Sequence, residues 1–356
     1  MALEVWTTGI AHADLAPRAA ARAEAAGWDG MLVVDSQNLS GDPFVALALA
    51  ARETTNLGLG TGVTNPATRH PAATAAAIAS VHVASGGRAV LGIGRGDSSL
   101  AHLGLAPLSP AELERFVRLV RRYLHGAEID FEELRPYERP GARPIELMGL
   151  ADRPAHSRLH WLPRHLPPVP VDVVATGPRA LAVAGRSGDR TLLAVGADPE
   201  RVAWAAEVAR ASGATRLGAF VNVVAHDDVG IARGLAAGGL TTFARFSAMD
   251  GTVPTPIDDA SERVLRDVHR SYDMGQHTRA GSPQAQRLTE DFADRFGIVG
   301  SPAHCIGRLE QLTALGIDRF IVVGPSVDAD REQAAAAART FVREVLPAIK
   351  ETARVA

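Results

Sequence analysis

Arg88-Ala89-Val90-Leu91-Gly92-Ile93-Gly94-Arg95-Gly96-Asp97-Ser98-Ser99 is the stretch that decides the fold. Its first half reads as a buried strand, and its second half is a glycine-rich loop carrying a carboxylate. A parallel strand that feeds such a loop is where α/β proteins place their active sites. Glycines at positions 92, 94 and 96 let the backbone approach a flat ligand closely. Asp97 and Ser98 add polar chemistry at the rim, so a cofactor is expected here.

Outward from this strand the chain alternates short β-branched runs with Ala- and Leu-rich amphipathic stretches. Candidate strands are Leu3–Thr8, Gly30–Asp35, Leu57–Val63, Ala89–Ile93, Val171–Ala175, Thr191–Val195, Leu217–Val224 and Arg319–Val323. The clearer helices are Pro43–Glu53, Ala72–Val83, Pro110–His125, Pro178–Ser187, Glu200–Ser212 and Arg331–Ile349, several opening on Pro or Asp. Eight strands with helices between most of them predict an α/β fold closed as a (β/α)8 TIM barrel; an open doubly wound sheet is the alternative. The chain is read as one barrel domain over 1–356 with insertions at about 126–170 and 239–300, the second containing a helix over Ala260–Tyr272. Long loops at the carboxyl side of barrel strands serve as lids or substrate walls, so these stretches are expected to set substrate specificity.

Composition excludes several functions. The 356 residues are 46% hydrophobic and 22% charged with a net charge of -3, ordinary for a globular protein with a sizeable core. Neither nucleic acid nor a membrane surface is an expected partner, because both need a clustered basic excess. No segment reaches the roughly 18 apolar residues of a membrane span, and no secretory leader is recognised, so a cytoplasmic location is expected. The lone cysteine, Cys305, fits a reducing compartment and reads as a buried structural thiol. Lys350 is the only lysine among 37 basic residues and lies in the last helix. Schiff-base aldolases and phosphate-loop NTPases need an interior lysine, so neither chemistry is expected.

Other candidates carry two readings each. Ala175-Thr176-Gly177-Pro178-Arg179 is a strand end, a glycine turn and a proline at the first helical position. It reads either as a phosphate seat at a helix N-terminus or as an ordinary turn capped by threonine. Val195-Gly196-Ala197 would close the same pocket. Asp97 is a candidate proton donor or substrate-orienting carboxylate, since a carboxyl crowded by an apolar ring becomes a general acid. Alternatively it shapes its loop. Arg95 would pair with an anionic cofactor tail or with Asp97, and His277 lies in the second insertion as a candidate substrate contact or a solvated loop histidine. His156, His160 and His165 lack the carboxylate or thiol that completes a familiar metal pattern, so no metal is expected. The spacing of Gly92, Gly94 and Gly96 misses the dinucleotide fingerprint.

Several of these motifs, in this order, resemble the bacterial luciferase-like superfamily. They are Asp35 after the second strand, Gly60-Thr61-Gly62-Val63-Thr64-Asn65-Pro66, His70-Pro71, Leu91-Gly92-Ile93-Gly94-Arg95-Gly96-Asp97, Ala175 to Leu181, Gly300-Ser301-Pro302 and Gly316-Ile317-Asp318. Gly94-Arg95-Gly96-Asp97 is similar to the Gly-Pro-Gly-Asp of methylenetetrahydromethanopterin reductases, which use the deazaflavin coenzyme F420. The resemblance implies a barrel, as a homodimer, with a flavin-shaped ring at the carboxyl ends of the strands. It implies a bulge after the third strand with a non-proline cis peptide at Gly62-Val63 backing the ring, flanked by Thr61 and Thr64, with Gly94, Arg95 and Gly96 beside it. It places Asp35 on the cofactor and Ser36 towards the substrate. Some relatives carry a histidine for proton work where this chain has Ser36, so that role is expected elsewhere or absent.

The implied activity is hydride transfer between F420 and a small organic substrate, with Asp97 and Ser36 as catalytic candidates. The alternatives are an FMN-dependent monooxygenase using reduced flavin and oxygen, and a barrel that binds a ligand without turnover.

Overall fold

The computed structural model describes residues 3–249 and 251–355. Nine strands run through the described residues: β1 (Glu4–Gly9), β2 (Gly30–Val33), β3 (Gly58–Thr61), β4 (Ala89–Ile93), β5 (Val171–Ala175), β6 (Arg190–Leu193), β7 (Leu217–Ala225), β8 (Ile298–Gly300) and β9 (Arg319–Val323). The order β6-β5-β4-β3-β2-β1-β9-β7, with β6 also pairing β7, closes an eight-stranded barrel, and every pairing is parallel. The closed barrel expected from the alternation is therefore observed.

Strand β8 lies outside the barrel closure. The lower half of β7 pairs β9 through Gly218–Asn222, and its upper end, Val223–Ala225, pairs β8. Three residues are too few for a hydrophobic period, which is why the sequence reading did not register this strand.

Helix starts follow the capping chemistry. Asp42 accepts from the amides of Phe44 and Val45 at 2.8 and 3.2 Å, so the helix Pro43–Glu53 begins where Pro43 stands at its first position. Pro178–Ser187 likewise has its expected bounds. The expectation for Arg331–Ile349 is modified, because this stretch is a helix Arg331–Thr340, a π-turn Phe341–Val345 and a further helix Leu346–Val355.

The first interruption is the irregular β4–β5 connection expected, with its ends at the amino end of the barrel, and the second differs from its sequence reading. The stretch 126–170 leaves the C-terminal end of the helix Pro110–Leu124 and enters β5 at its N-terminal end, so it starts and finishes at the amino end of the barrel. It packs outside the helices, with Tyr123 Oη 2.7 Å from Ser157 Oγ and the Tyr137 ring edge-on to Phe116 and His70. Its ends thus belong to the face opposite the one where substrate walls are built. The stretch from residue 239 holds more regular structure than expected. A helix, Val229–Ser247, runs straight through Gly238-Gly239 because both glycines are contact points: a Cβ would stand 2.1 Å from the Thr278 carbonyl oxygen and 2.3 Å from Asn222 Nδ2. The helices Asp259–Arg270 and Glu290–Phe296 and strand β8 follow.

The amino end of the barrel is plugged by charge. Arg319 donates to Asp172 at 2.5 Å and pairs with Glu4 at 2.7 Å, and its guanidinium lies 4.3 Å from the Trp6 ring. Arg190, almost fully buried, reaches Asp318, Glu4 and Asp172. Burial pushes the Asp172 carboxyl up while Arg319 and Arg190 pull it back, and burial together with Arg319 brings Arg190 down to about 10. Room for the Trp6 ring comes from Gly30 and Gly58, where a Cβ would meet it at 2.3 and 2.6 Å.

Asp172→Ala removes one of the two acceptors that the buried Arg190 and Arg319 share and is expected to cost about 3–5 kcal/mol of unfolding free energy. Urea unfolding measures this; a midpoint unchanged from the wild type would mean that the arginines do not depend on Asp172.

Candidate active site

The carboxyl ends of β3 and β4 are pressed together. A Cβ on Gly92 would stand 2.1 Å from the Thr61 carbonyl oxygen, so only glycine fits there. The Thr61 hydroxyl donates to the Gly92 carbonyl at 2.6 Å and the Thr64 amide donates to the same oxygen at 3.0 Å. Between these anchors the Gly62-Val63 peptide bond is cis, at the bond the resemblance names. Val63 is half-buried, and a Cβ on Gly94 would lie 3.1 Å from it and 3.9 Å from Val174 on β5. Val63, Gly94 and Val174 thus form a smooth apolar wall.

Asp35 lies behind this wall, buried, at the end of β2. Its Oδ1 accepts from Gln37 Nε2 at 2.6 Å, and its Oδ2 accepts from the Thr64 hydroxyl and from Arg69, each at 2.7 Å. Arg69 also pairs with Asp42 at 2.7 Å and lies 5.0 Å from the Phe44 ring. Three internal donors fix Asp35 as the strut of the β2–β3 corner. Ser36, next in the chain, is half-buried at the head of the turn that Ser40 closes by donating to the Ser36 carbonyl at 3.2 Å.

Past Gly96, which takes a positive φ of 79°, Asp97 turns into the short helix Ser98–Ala101. One carboxylate oxygen, Oδ2, forms an ion pair with Arg245 of the helix Val229–Ser247, while Oδ1 is buried and accepts no hydrogen bond. Arg245 lies 5.0 Å from the Tyr272 ring, and the Tyr272 hydroxyl is 2.7 Å from His277 Nδ1. Burial, then Arg245, then His102 push the His277 imidazole down from 6.5 to about 4. The structure therefore brings Asp97 and His277 into one cluster. Arg245 and Tyr272, which connect them, escaped the sequence reading because 148 residues separate Arg245 from Asp97 and no motif marks it. Arg95 directs its Nε to the Leu108 carbonyl.

Next to the apolar wall, β5 ends at Ala175 and the helix Pro178–Ser187 begins. Nothing lies within 4 Å of where a Cβ on Gly177 would stand, so the helix N-terminus faces open space. Its first amides have no intrahelical acceptor, and Arg179 is exposed beside them. The Thr176 hydroxyl donates to the Ala194 carbonyl at 3.4 Å, tying this turn to β6. Val195 is buried, and Gly196, with φ +81°, lies so close to Phe296 that a Cβ would meet the ring at 2.7 Å.

The remaining sequence candidates lie elsewhere. Cys305 is buried, its thiol near the Val224 and Gly300 carbonyls and pushed up to about 12 by burial, which makes it a poor nucleophile. His156 lies against Glu128 and Asp130 on the outer segment. Lys350 pairs with Asp29 at 2.7 Å, at the amino end of the barrel. Among the described residues no helix is long and apolar enough to cross a membrane.

Comparison with known proteins places these features in context. Residues 4–319 match the family model described as luciferase-like monooxygenase. A 5,10-methylenetetrahydromethanopterin reductase of Archaeoglobus fulgidus is 25% identical over 343 residues, covering 92% of this chain and 93% of that protein. An F420-dependent hydroxymycolic acid dehydrogenase of Mycobacterium tuberculosis is 32% identical over 283 residues, 76% of this chain and 74% of that one. The coenzyme F420-dependent tetrahydromethanopterin reductase of Methanopyrus kandleri superposes with a TM-score of 0.69 at 20% identity, covering 98% and 99% of the two chains, which shows a shared fold.

The depressed His277 makes a pH prediction. Its ring is neutral in both folded and unfolded chains above 6.5, so the stability it permits is complete there and is lost as the pH falls from 6.5 towards about 4. Unfolding free energies measured at pH 7 and pH 5 are expected to fall further in the wild type than in His277→Gln. Equal falls would mean that His277 is not held neutral.

Proposed function

The chain belongs to the luciferase-like monooxygenase family, and from that premise we propose that it is an oxidoreductase using coenzyme F420 to move a hydride to or from a small organic substrate. The observation that carries this reading is the mouth itself: an apolar wall at Val63, Gly94 and Val174 beside an open helix N-terminus at Gly177. A flat ring with a phosphorylated side chain fits that pair of features. Relatives named for F420 support the deazaflavin over FMN.

When bound, the deazaflavin supplies a two-electron hydride carrier. The protein would hold and orient it. Thr61, Gly62, Val63 and Thr64 back the ring, with Gly94 and Gly96 giving close approach and Asp35 stiffening the corner through Thr64. Ala175, Thr176, Gly177, Pro178 and Arg179 receive the phosphate, with Val195 and Gly196 closing the turn beside them. Arg95 and Arg179 are the candidate cations for the acidic tail, the task falling to arginine in a chain with one lysine. Asp97, Ser36 and His277 face the substrate end. The family name keeps a second reading, an FMN-dependent monooxygenase using oxygen.

We also propose a homodimer paired through the helices Pro43–Glu53 and Pro71–Ala84, whose outer faces leave Val45, Leu49 and Val83 in water. Sedimentation of the purified protein as a monomer would refute it.

Equilibrium binding of F420 and of FMN to the apo-protein, each at low and high salt, tests the cofactor. F420 is expected to bind more tightly and to weaken with salt, and Arg179→Ala to lose about tenfold in F420 affinity. Preferential FMN binding would move the assignment to the monooxygenase; binding of neither would remove the oxidoreductase reading.

A further inference from the structure

The outer segment closes a cleft of about 320 Å³ at the amino end of the barrel, on the face opposite the proposed ring seat. Three elements build it. The helix Pro71–Ala84 contributes Ala79 and the buried His82, the end of the helix Pro110–Leu124 contributes Leu124, His125 and Gly126, and residues 158–169 form the remaining wall. His82 Nε2 donates to the Pro167 carbonyl at 3.0 Å, which ties that wall to the first helix. Across the cleft, a Cβ on Gly126 would lie 3.8 Å from Leu162. Prolines at 163, 167 and 168 fix the backbone of the wall, so the cleft exists before any ligand arrives.

Its charge is one-sided. Every ionisable side chain in the lining is basic, in a chain whose net charge is -3. Besides His82 these are His125, Arg158, His160 and Arg164, and all four are exposed. Arg158 has one partner, Glu128 at 3.4 Å, outside the lining. Among the described residues the side chains of His125, His160 and Arg164 make no hydrogen bond or ion pair. Unused donors gathered in a cleft of one sign focus a field that draws an anion. The end of the helix Pro110–Leu124 does not oppose this, because the Arg121, Arg122 and Tyr123 carbonyls are already taken by the amides of His125, Ala127 and Gly126. Leu124, Leu162 and Leu166 add apolar surface beside the cations.

We propose that this cleft is a second binding site, separate from the barrel mouth, for a small phosphate monoester with an apolar body. The guanidinium groups of Arg164 and Arg158 and the imidazoles of His125 and His160 hold the phosphate, and the leucines cover the body. Three terminal phosphate oxygens can use donors from four side chains, whereas a carboxylate offers two oxygens. Inorganic phosphate would satisfy the cations and leave the leucines wet. A volume near 300 Å³ suits a small ligand. Bound there, the ester joins the outer segment to the end of the helix Pro110–Leu124 and so stabilises the folded chain. The site does no chemistry, and it stands whether or not the mouth takes F420.

Calorimetric titration of phenyl phosphate into the full chain tests this, with Arg179→Ala as the background so that the phosphate seat proposed at the mouth is weakened. Phenyl phosphate is expected to bind at one site, about tenfold more tightly than inorganic phosphate or benzoate. Arg164→Gln and His160→Gln are each expected to weaken it about tenfold. Both side chains are exposed and unpartnered, so neither change is expected to move the urea midpoint of the free protein. Phenyl phosphate is expected to raise that midpoint, and Arg164→Gln to remove the rise. No binding, binding that Arg164→Gln leaves unchanged, or inorganic phosphate or benzoate binding as tightly as the ester would overturn the proposal. So would a loss of F420 affinity in Arg164→Gln, because the two sites would then not be separate. Failure of F420 to bind the wild type refutes the cofactor reading alone.

Discussion

At the carboxyl end of the barrel two strands meet backbone to backbone. Where β3 and β4 end, the Thr61 carbonyl leaves no space for any side chain on Gly92, and the Gly92 carbonyl in turn takes the Thr61 hydroxyl and the Thr64 amide. Everything around the proposed ring seat follows from that contact. It sets the corner at which the Gly62-Val63 peptide is cis, it turns Val63 towards Gly94, and it brings Thr64 within reach of Asp35. Asp35 then recruits Arg69, and Arg69 recruits Asp42, which caps the helix Pro43–Glu53. One steric constraint thus propagates through hydrogen bonds from a strand pair to an outer helix.

Both ends of the barrel bury charge. At the amino end Glu4, Asp172 and Asp318 meet Arg190, Arg216 and Arg319, with Trp6 stacked beneath the last of these, and the charges are packed as a plug. At the carboxyl end Asp97 pairs through one oxygen and leaves the other bare, and His102 Nε2 is likewise buried without a partner. Arg190 Nε, inside the plug, also lacks a hydrogen-bond partner, so unsatisfied buried atoms occur at both ends of the barrel.

Much of this was legible in the sequence, and the limits have physical causes. Barrel strands carry their own periodicity and their own glycines, so eight of them, the β4 loop and the turn at Thr176 to Arg179 could be read directly. The bulge at Gly62-Val63 could be named only through resemblance, because no local pattern encodes a peptide isomer. Gly238-Gly239 misled: glycine pairs usually break helices, but here they admit the Thr278 backbone and Asn222 into the flank of a continuous helix. The stretch 126–170 was legible as an irregular β4–β5 connection, but composition does not reveal at which end of the barrel its ends lie. Arg245 was invisible because its partners are supplied by tertiary contacts with β4 and with the insertion.

The same point bears on how such a barrel changes substrate while keeping its ring seat. The wall and the helix N-terminus are built from strand ends, where a change of one residue meets another backbone, as at Gly92. The Asp97–Arg245–Tyr272–His277 cluster instead joins a strand loop to a helix and an insertion, and the bonds that hold it are side-chain contacts. Side-chain contacts between separate elements can be exchanged without disturbing strand register, whereas a Cβ at Gly92 cannot be accommodated without parting β3 from β4. On the proposed reading, specificity is free to vary in the part of the molecule that sequence reading resolves least, and the proposed cofactor seat is confined to the part it resolves best.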